Sequence, residues 1–241
     1  MFVDLSRGRN EGPPLFCFPY AGGSANAYQA IAASVRQLMI WAYEMPGRGR
    51  RISEAPATSR IKIVEDSARI IASQGHDDFF LFGHSMGGML AFETARVLQH
   101  KYSLSPRRLI LSGIRPPSRV ATVVAPATDE QLIARIRRLG GTPAEILENE
   151  ELLQLILPAL KADFELVDGW TRPFEPLHCD ITTFAGADDR YCSVTDAVQW
   201  EEFTDGGFSA HRIAGAHFFI HTEMAEVVRH LDGIGLSSVQ K

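Results

Sequence analysis

The chain has 241 residues, 45% of them apolar and 22% charged, with a formal net charge of −5. That length can bury a closed core, and the composition is that of a globular protein rather than a disordered or fibrous one. The negative balance argues against non-specific nucleic-acid binding, no apolar run approaches a membrane span, and three cysteines without C-x-x-C spacing argue against a disulfide framework or a zinc site.

Met1 to Asn10 holds Asp4, Arg7 and Arg9 and lacks the apolar core of a signal peptide, so a cytoplasmic location is expected. Pro14-Leu15-Phe16-Cys17-Phe18-Pro19 is a short apolar run stopped by proline and predicts a buried strand. Tyr20-Ala21-Gly22-Gly23-Ser24 predicts a loop. Helical spacing follows from about Ala25 to Leu38, with Ser24 as the expected N-cap. Met39 to Met45 predicts a second strand, closed by Pro46-Gly47. Ile61, Val64, Ala68 and Ile71 have helical spacing within a stretch from about Ser59 to Ser73. Phe79 to Phe82 predicts the third strand, and a helical pattern runs from Gly88 to Leu98. Arg108 to Gly113, Cys179 to Ala185 and Phe208 to Ile213 predict the fourth, fifth and sixth strands. Strands separated by helices predict an α/β class with a mostly parallel central sheet flanked by helices, as one domain over 1–241.

Residues 114 to 178 break that alternation, because no strand candidate lies among them. The stretch leaves the fourth strand through Arg115-Pro116-Pro117. It then has helical patterns near Asp129 to Leu139, Pro143 to Leu147 and Glu150 to Val167. It reads either as an ordinary helical excursion packed on the sheet or as a helical lid, spanning about 115–177, over the ends of the strands. The lid is the favoured reading, because inserted segments on such scaffolds tend to carry binding. Asp163 and Asp168 within it are expected to be solvated.

Gly83-His84-Ser85-Met86-Gly87 reads G-x-S-x-G between a predicted strand and a predicted helix. In that context the pattern is a nucleophile elbow. Ser85 would sit on a strained turn, and side chains at 83 and 87 would collide with their surroundings. The same turn aims the Met86 N–H at the position where an oxyanion forms. A chance match in a glycine-rich loop is the competing reading.

A serine hydroxyl needs a base, and the base needs an orienting acid. On an α/β-hydrolase fold the chain order is Ser, acid, His. After the fourth strand no carboxylate appears until Asp129. After the fifth the chain reads Ala185-Gly186-Ala187-Asp188-Asp189-Arg190, where two aspartates compete. The acid in such turns usually lies three residues after the glycine, which favours Asp189 over Asp188. Of eight histidines, His217 follows the sixth strand, in a loop before a final helix, and is the expected base. His211 lies within a strand and reads as structural, and His84 as support for the elbow. His217 and His221 are four apart, but Phe218 stands where H-E-x-x-H needs a glutamate, so a metal reading is poor and none is expected. The loop after the first strand would supply the second oxyanion donor, and the Ala21 N–H is the candidate, against a plain glycine turn. G-x-G-x-x-G is absent, so Gly22-Gly23 does not read as a nucleotide site.

Four segments occur in order: Phe18-Pro19-Tyr20-Ala21-Gly22-Gly23-Ser24, Met45-Pro46-Gly47-Arg48-Gly49-Arg50-Arg51, Gly83-His84-Ser85-Met86-Gly87-Gly88 and Gly215-Ala216-His217-Phe218-Phe219. Together they resemble the type II thioesterases that accompany polyketide and nonribosomal peptide synthases, over about residues 18 to 220. The P-G-R-x-x-R segment is the most specific of the four, because general lipases and esterases lack it. Many members carry a histidine where this chain has Tyr20. The resemblance implies an α/β-hydrolase fold and a triad of Ser85, Asp189 and His217. It also implies hydrolysis of acyl groups from the phosphopantetheine thiol of an acyl or peptidyl carrier protein, with no cofactor of the enzyme's own. Carrier proteins are commonly acidic, so Arg135, Arg137 and Arg138, or Arg48, Arg50 and Arg51, become candidate docking residues, with ordinary structural arginines as the alternative. A carboxylesterase or lipase on the same scaffold and a non-catalytic hydrolase-like binding protein are the rival readings.

Overall fold

A computed structural model describes residues 1–6, 12–117, 128–168, 170–171 and 175–239 of the chain. Its strands are β1 (Phe2–Asp4), β2 (Pro14–Phe18), β3 (Met39–Tyr43), β4 (Phe80–His84), β5 (Arg108–Ser112), β6 (Asp180–Gly186) and β7 (Phe208–Ile213). Its α-helices are α1 (Gln29–Ser34), α2 (Arg60–Ser73), α3 (Met86–Tyr102), α4 (Asp129–Leu139), α5 (Ala144–Leu147), α6 (Glu150–Val167), α7 (Val194–Val198), α8 (Phe219–Thr222) and α9 (Met224–Val239).

The strands form one sheet in the order β1-β3-β2-β4-β5-β6-β7. Five pairings are parallel, and β1 joins the edge antiparallel to β3. The central strands are apolar on both faces because helices cover both. Alternation then divides their side chains. Phe16, Leu81, Leu109 and Leu111 point into the core beneath α2 and α3. Leu15, Cys17, Phe80, Phe82 and Ile110 point into the core beneath α1 and α9. A one-residue slip in any of these strands would exchange the two sets, so the register is strongly specified.

The α/β class and the mostly parallel sheet are as expected, and four local readings change. The strand β1 was not foreseen, because three residues carry too little periodicity to register. The stretch from Ala25 to Leu38 is a 3₁₀ turn (Ala25–Tyr28) followed by the short α1, not one helix. Ser24 occupies the N-cap position, but its hydroxyl makes no capping bond; its carbonyl accepts the Ala27 N–H at 3.0 Å instead. The third predicted strand extends two residues further, so that β4 ends at His84, against the elbow. The helices α4, α5 and α6 fall close to the positions predicted for the insertion. Within that segment, residues 118–127, 169 and 172–174 lie outside the described residues. Among the described residues no helix is long and apolar enough to cross a membrane.

Candidate active site

The site begins where β4 gives way to α3. Ser85 lies between them at φ 53°, ψ −122°, a region that side-chain-bearing residues rarely enter. The turn persists because its neighbours hold it. The Ser85 N–H donates to the Ser112 carbonyl of β5 at 2.8 Å, and the Gly88 N–H donates to the Ser85 carbonyl at 2.8 Å. A Cβ at Gly83 would strike the Gly87 carbonyl, and one at Gly87 would strike the Phe18 carbonyl of β2. Small residues at 83 and 87 are therefore a steric requirement of the turn.

His217 and Asp189 reach Ser85 from two other loops. His217 Nε2 lies 3.1 Å from Ser85 Oγ, and His217 Nδ1 lies 2.8 Å from Asp189 Oδ2. A carboxylate only accepts, so Nδ1 carries the proton and Nε2 faces the hydroxyl as acceptor. The other oxygen of Asp189 accepts the N–H groups of Tyr191 (2.7 Å) and Cys192 (3.2 Å), which locks the carboxylate in place. The side chain of Asp189 is fully buried, whereas Asp188 is exposed and its backbone N–H donates to the Gly215 carbonyl. Geometry thus selects Asp189 from the two aspartates.

His84 lies completely buried beneath this group. Its Nδ1 is 2.9 Å from Ser112 Oγ, and its ring packs 5.0 Å from the ring of His217. Burial, reinforced by the charge that His217 can carry, holds the His84 imidazole well below its ordinary range. It is therefore a neutral platform for His217. His211 packs edge-on against Phe184 and tilted against His230, as the structural reading expects. Both ring nitrogens of His217 are engaged, and His221 Nε2 lies 2.9 Å from the Tyr20 hydroxyl. Burial pushes the Tyr20 phenol up and the His221 imidazole down, so a neutral phenol meets a neutral ring. Among the described residues no three His, Cys, Asp or Glu side chains gather closely enough to hold a metal.

The loop after β2 forms a tight turn. The Gly23 N–H donates to the Tyr20 carbonyl at 2.9 Å, and Gly22 has φ +79°, the conformation a type II turn demands at its third residue. This turn lines a cleft of about 150 Å³ together with Ser85, Met86, Arg115, Arg135, Tyr191 and His217. The N–H groups of Ala21 and Met86 have no partner among the described residues. A second cleft, about 280 Å³ and mostly apolar, shares Ala21, Leu139 and Phe164 with the first and runs between the turn and helices α4 to α6.

Asp163 and Asp168 correct the expectation of solvated carboxylates. The side chain of Asp163 is fully buried and forms a two-pronged pair with Arg48, Nη1 to Oδ2 at 2.5 Å and Nη2 to Oδ1 at 2.6 Å. Asp168 is half-buried beside Arg135, and burial raises its carboxyl. The sequence did carry a signal for the first. Leu160, Asp163, Phe164 and Val167 share one helix face, and a carboxylate on an apolar face must find a partner. Arg48 is thereby removed from the candidate docking residues. Arg135 leaves them too, because its guanidinium lies over the Phe164 ring, 4.1 Å from the centroid. Arg51 pairs with Glu54, while Arg50, Arg137 and Arg138 are exposed.

A thioesterase-domain family profile matches residues 13–234. The gramicidin S biosynthesis protein GrsT of Aneurinibacillus migulanus is 34% identical over 223 residues, covering 90% of this chain and 86% of that protein. Among solved structures, the type II thioesterase BorB from the borrelidin biosynthetic cluster superposes with a TM-score of 0.82 at 33% identity, over 92% of this chain and 91% of that one. YbtT, a type II thioesterase from the yersiniabactin NRPS/PKS biosynthetic pathway, superposes with a TM-score of 0.82 at 28% identity, over 95% and 97%. A profile spanning nearly the whole sheet and relatives of this similarity and coverage identify the chain as a member of the thioesterase family, within the type II thioesterases of nonribosomal peptide and polyketide biosynthesis.

Proposed function

We propose that this protein hydrolyses acyl groups from the phosphopantetheine thiol of an acyl or peptidyl carrier protein, using Ser85, His217 and Asp189. The observation that carries this reading is the continuous chain of contacts from Ser85 Oγ through His217 to the buried Asp189, at 3.1 and 2.8 Å, in a member of the thioesterase family. His217 Nε2 takes the Ser85 proton as Oγ attacks the thioester carbonyl. The Ala21 and Met86 N–H groups receive the oxyanion. As the intermediate collapses, the C–S bond breaks and the imidazolium returns its proton to the departing thiolate. Water then gives a proton to His217 as it attacks the acyl-serine, and when the C–Oγ bond breaks the imidazolium returns that proton to Ser85 Oγ and the acid is released. Asp189 holds the imidazole's tautomer and stabilises its cation. The apolar cleft beyond Ala21 suits the acyl chain, with α4 to α6 as its lid. The route needs no cofactor of the enzyme's own, because the pantetheine arm arrives on the carrier.

The test is hydrolysis of an acetyl- or acyl-carrier protein by wild type and by Ser85→Ala, with a matched oxygen ester alongside. Release that disappears in Ser85→Ala and favours the carrier thioester is expected. Retained turnover in Ser85→Ala would sink the nucleophile assignment. Preference for the oxygen ester would turn the reading to a carboxylesterase. Failure of Ser85 to react with a fluorophosphonate probe would turn it to a binding protein.

A further inference from the structure

The buried pair of Arg48 and Asp163 joins three distant parts of the chain at one point beside the clefts. Arg48 belongs to the P-G-R-x-x-R segment after β3, and Asp163 to α6 of the helical insertion. Asp163 Oδ2 accepts the Gly22 N–H at 2.7 Å, and Arg48 Nη1 donates to the Gly23 carbonyl at 3.1 Å. Leu160, one turn before Asp163, packs so closely over Gly22 that a Cβ there would collide with it. The turn that carries the Ala21 N–H is therefore held from outside, by a helix of the insertion and a guanidinium from a third loop.

We infer that Arg48 and Asp163 are positioning residues for the reaction, and that seating α6 on the Tyr20–Gly23 turn completes the oxyanion site. The inference rests on the proposed role of Ala21. The Ala21–Gly22 peptide forms the middle of a type II turn, which a peptide flip converts to another turn type. The bond from Gly22 N–H to Asp163 opposes that flip. A bare carboxylate one residue from the oxyanion donor would repel the charge that develops there, and the two-pronged Arg48 contact neutralises it. The pair satisfies both needs at once. It also ties turnover to the insertion, because displacing α6 withdraws Asp163 from Gly22. The arginine of the P-G-R segment thereby acquires a function that its sequence did not disclose.

The experiment measures kcat and KM on an acyl-carrier substrate, per active site counted by a fluorophosphonate probe, together with Tm. Arg48→Gln leaves the carboxylate bare and is expected to lower kcat about 10- to 100-fold with KM within about twofold. Arg48→Lys keeps the charge without the fork and should recover part of the loss. Asp163→Asn keeps an acceptor for Gly22 and should fall between wild type and Arg48→Gln. Ile71→Ala, a buried residue of α2 away from the clefts, provides a destabilised control with unchanged kcat. A lower Tm with unchanged kcat per titrated site in all three variants would make the pair merely structural and overturn the inference. A rise in KM alone would also overturn it. If wild type fails to turn over the carrier substrate, or Ser85→Ala retains activity, the proposed function itself fails, and that result is distinct from either outcome.

Discussion

Replacing Ser85 by glycine and by alanine separates the backbone cost of the elbow from its chemistry. Both changes delete the hydroxyl, so both lose the same 3.1 Å contact to His217, and Ser85 makes no side-chain cap bond that either could lose. They differ in what they allow the backbone to do. At φ 53° and ψ −122° an alanine retains its Cβ and the strain of an all but glycine-only region, about 1–3 kcal/mol. Glycine escapes that strain but costs about 0.5–1 kcal/mol through the greater freedom of the unfolded chain. The balance favours Ser85→Gly over Ser85→Ala by about 1 kcal/mol, which for a chain of this size corresponds to a Tm higher by about 2–4 °C. Thermal unfolding of the two variants in one buffer, followed by circular dichroism or calorimetry, measures the difference directly. Both variants should be inactive. An alanine variant that melts at or above the glycine variant would refute the claim that the elbow stores strain at this residue.

Further expectations follow from the same geometry. Asp189→Asn should lower kcat by about 10⁴-fold with little change in KM, since an amide can donate to Nδ1 and hold the ring in the wrong tautomer; steady-state kinetics check this, and a loss under tenfold would remove Asp189 from the proposed triad. Burial holds the His84 imidazole well below its ordinary range, and also lowers His211, His221 and His230. In the unfolded chain these rings take up protons near pH 6.5, where the native state does not, so their contribution to stability is complete above that pH and lost as the pH falls below it. For His84 the loss is about 1.4 kcal/mol per pH unit below 6.5 until its native value is reached; urea unfolding at pH 7.5, 6.5 and 5.5 should show the decline, and His84→Gln should make it shallower. Charge reversal at the exposed Arg137 and Arg138 of α4 should raise KM several-fold for an acyl-carrier substrate and leave a small soluble thioester unaffected; equal effects on both would place carrier docking elsewhere.

Much of the fold was legible because its signals are local. Apolar runs ended by proline and glycine marked β2 to β7, and helical spacing marked α2 to α6. Where the chain was misread, the local signal was weak or ambiguous. Phe2–Asp4 is too short to declare itself, and it becomes a strand only because the edge of β3 offers unpaired backbone groups to it. The stretch after Gly23 has helical spacing, yet its first turn tightens to 3₁₀, where the Ala25 N–H donates to the buried Glu44. The elbow was readable at Ser85 because strand, small residues and helix adjoin in the chain. Asp163 was misread as solvated because its partner lies 115 residues away.

The sequence alone determined the α/β class, the strained turn at Ser85 and the chain order of serine, acid and histidine. These depend on neighbours within a few residues, where backbone sterics and side-chain periodicity act. The spacing from Gly186 already favoured Asp189, and tertiary structure alone decided that His84 is a buried neutral platform and that Arg48 and Asp163 clamp the Gly22 turn. Those outcomes depend on which groups meet after the chain closes on itself. His217 is 132 residues from Ser85, and a buried charge takes the partner that the closed core presents rather than one its neighbours in sequence supply.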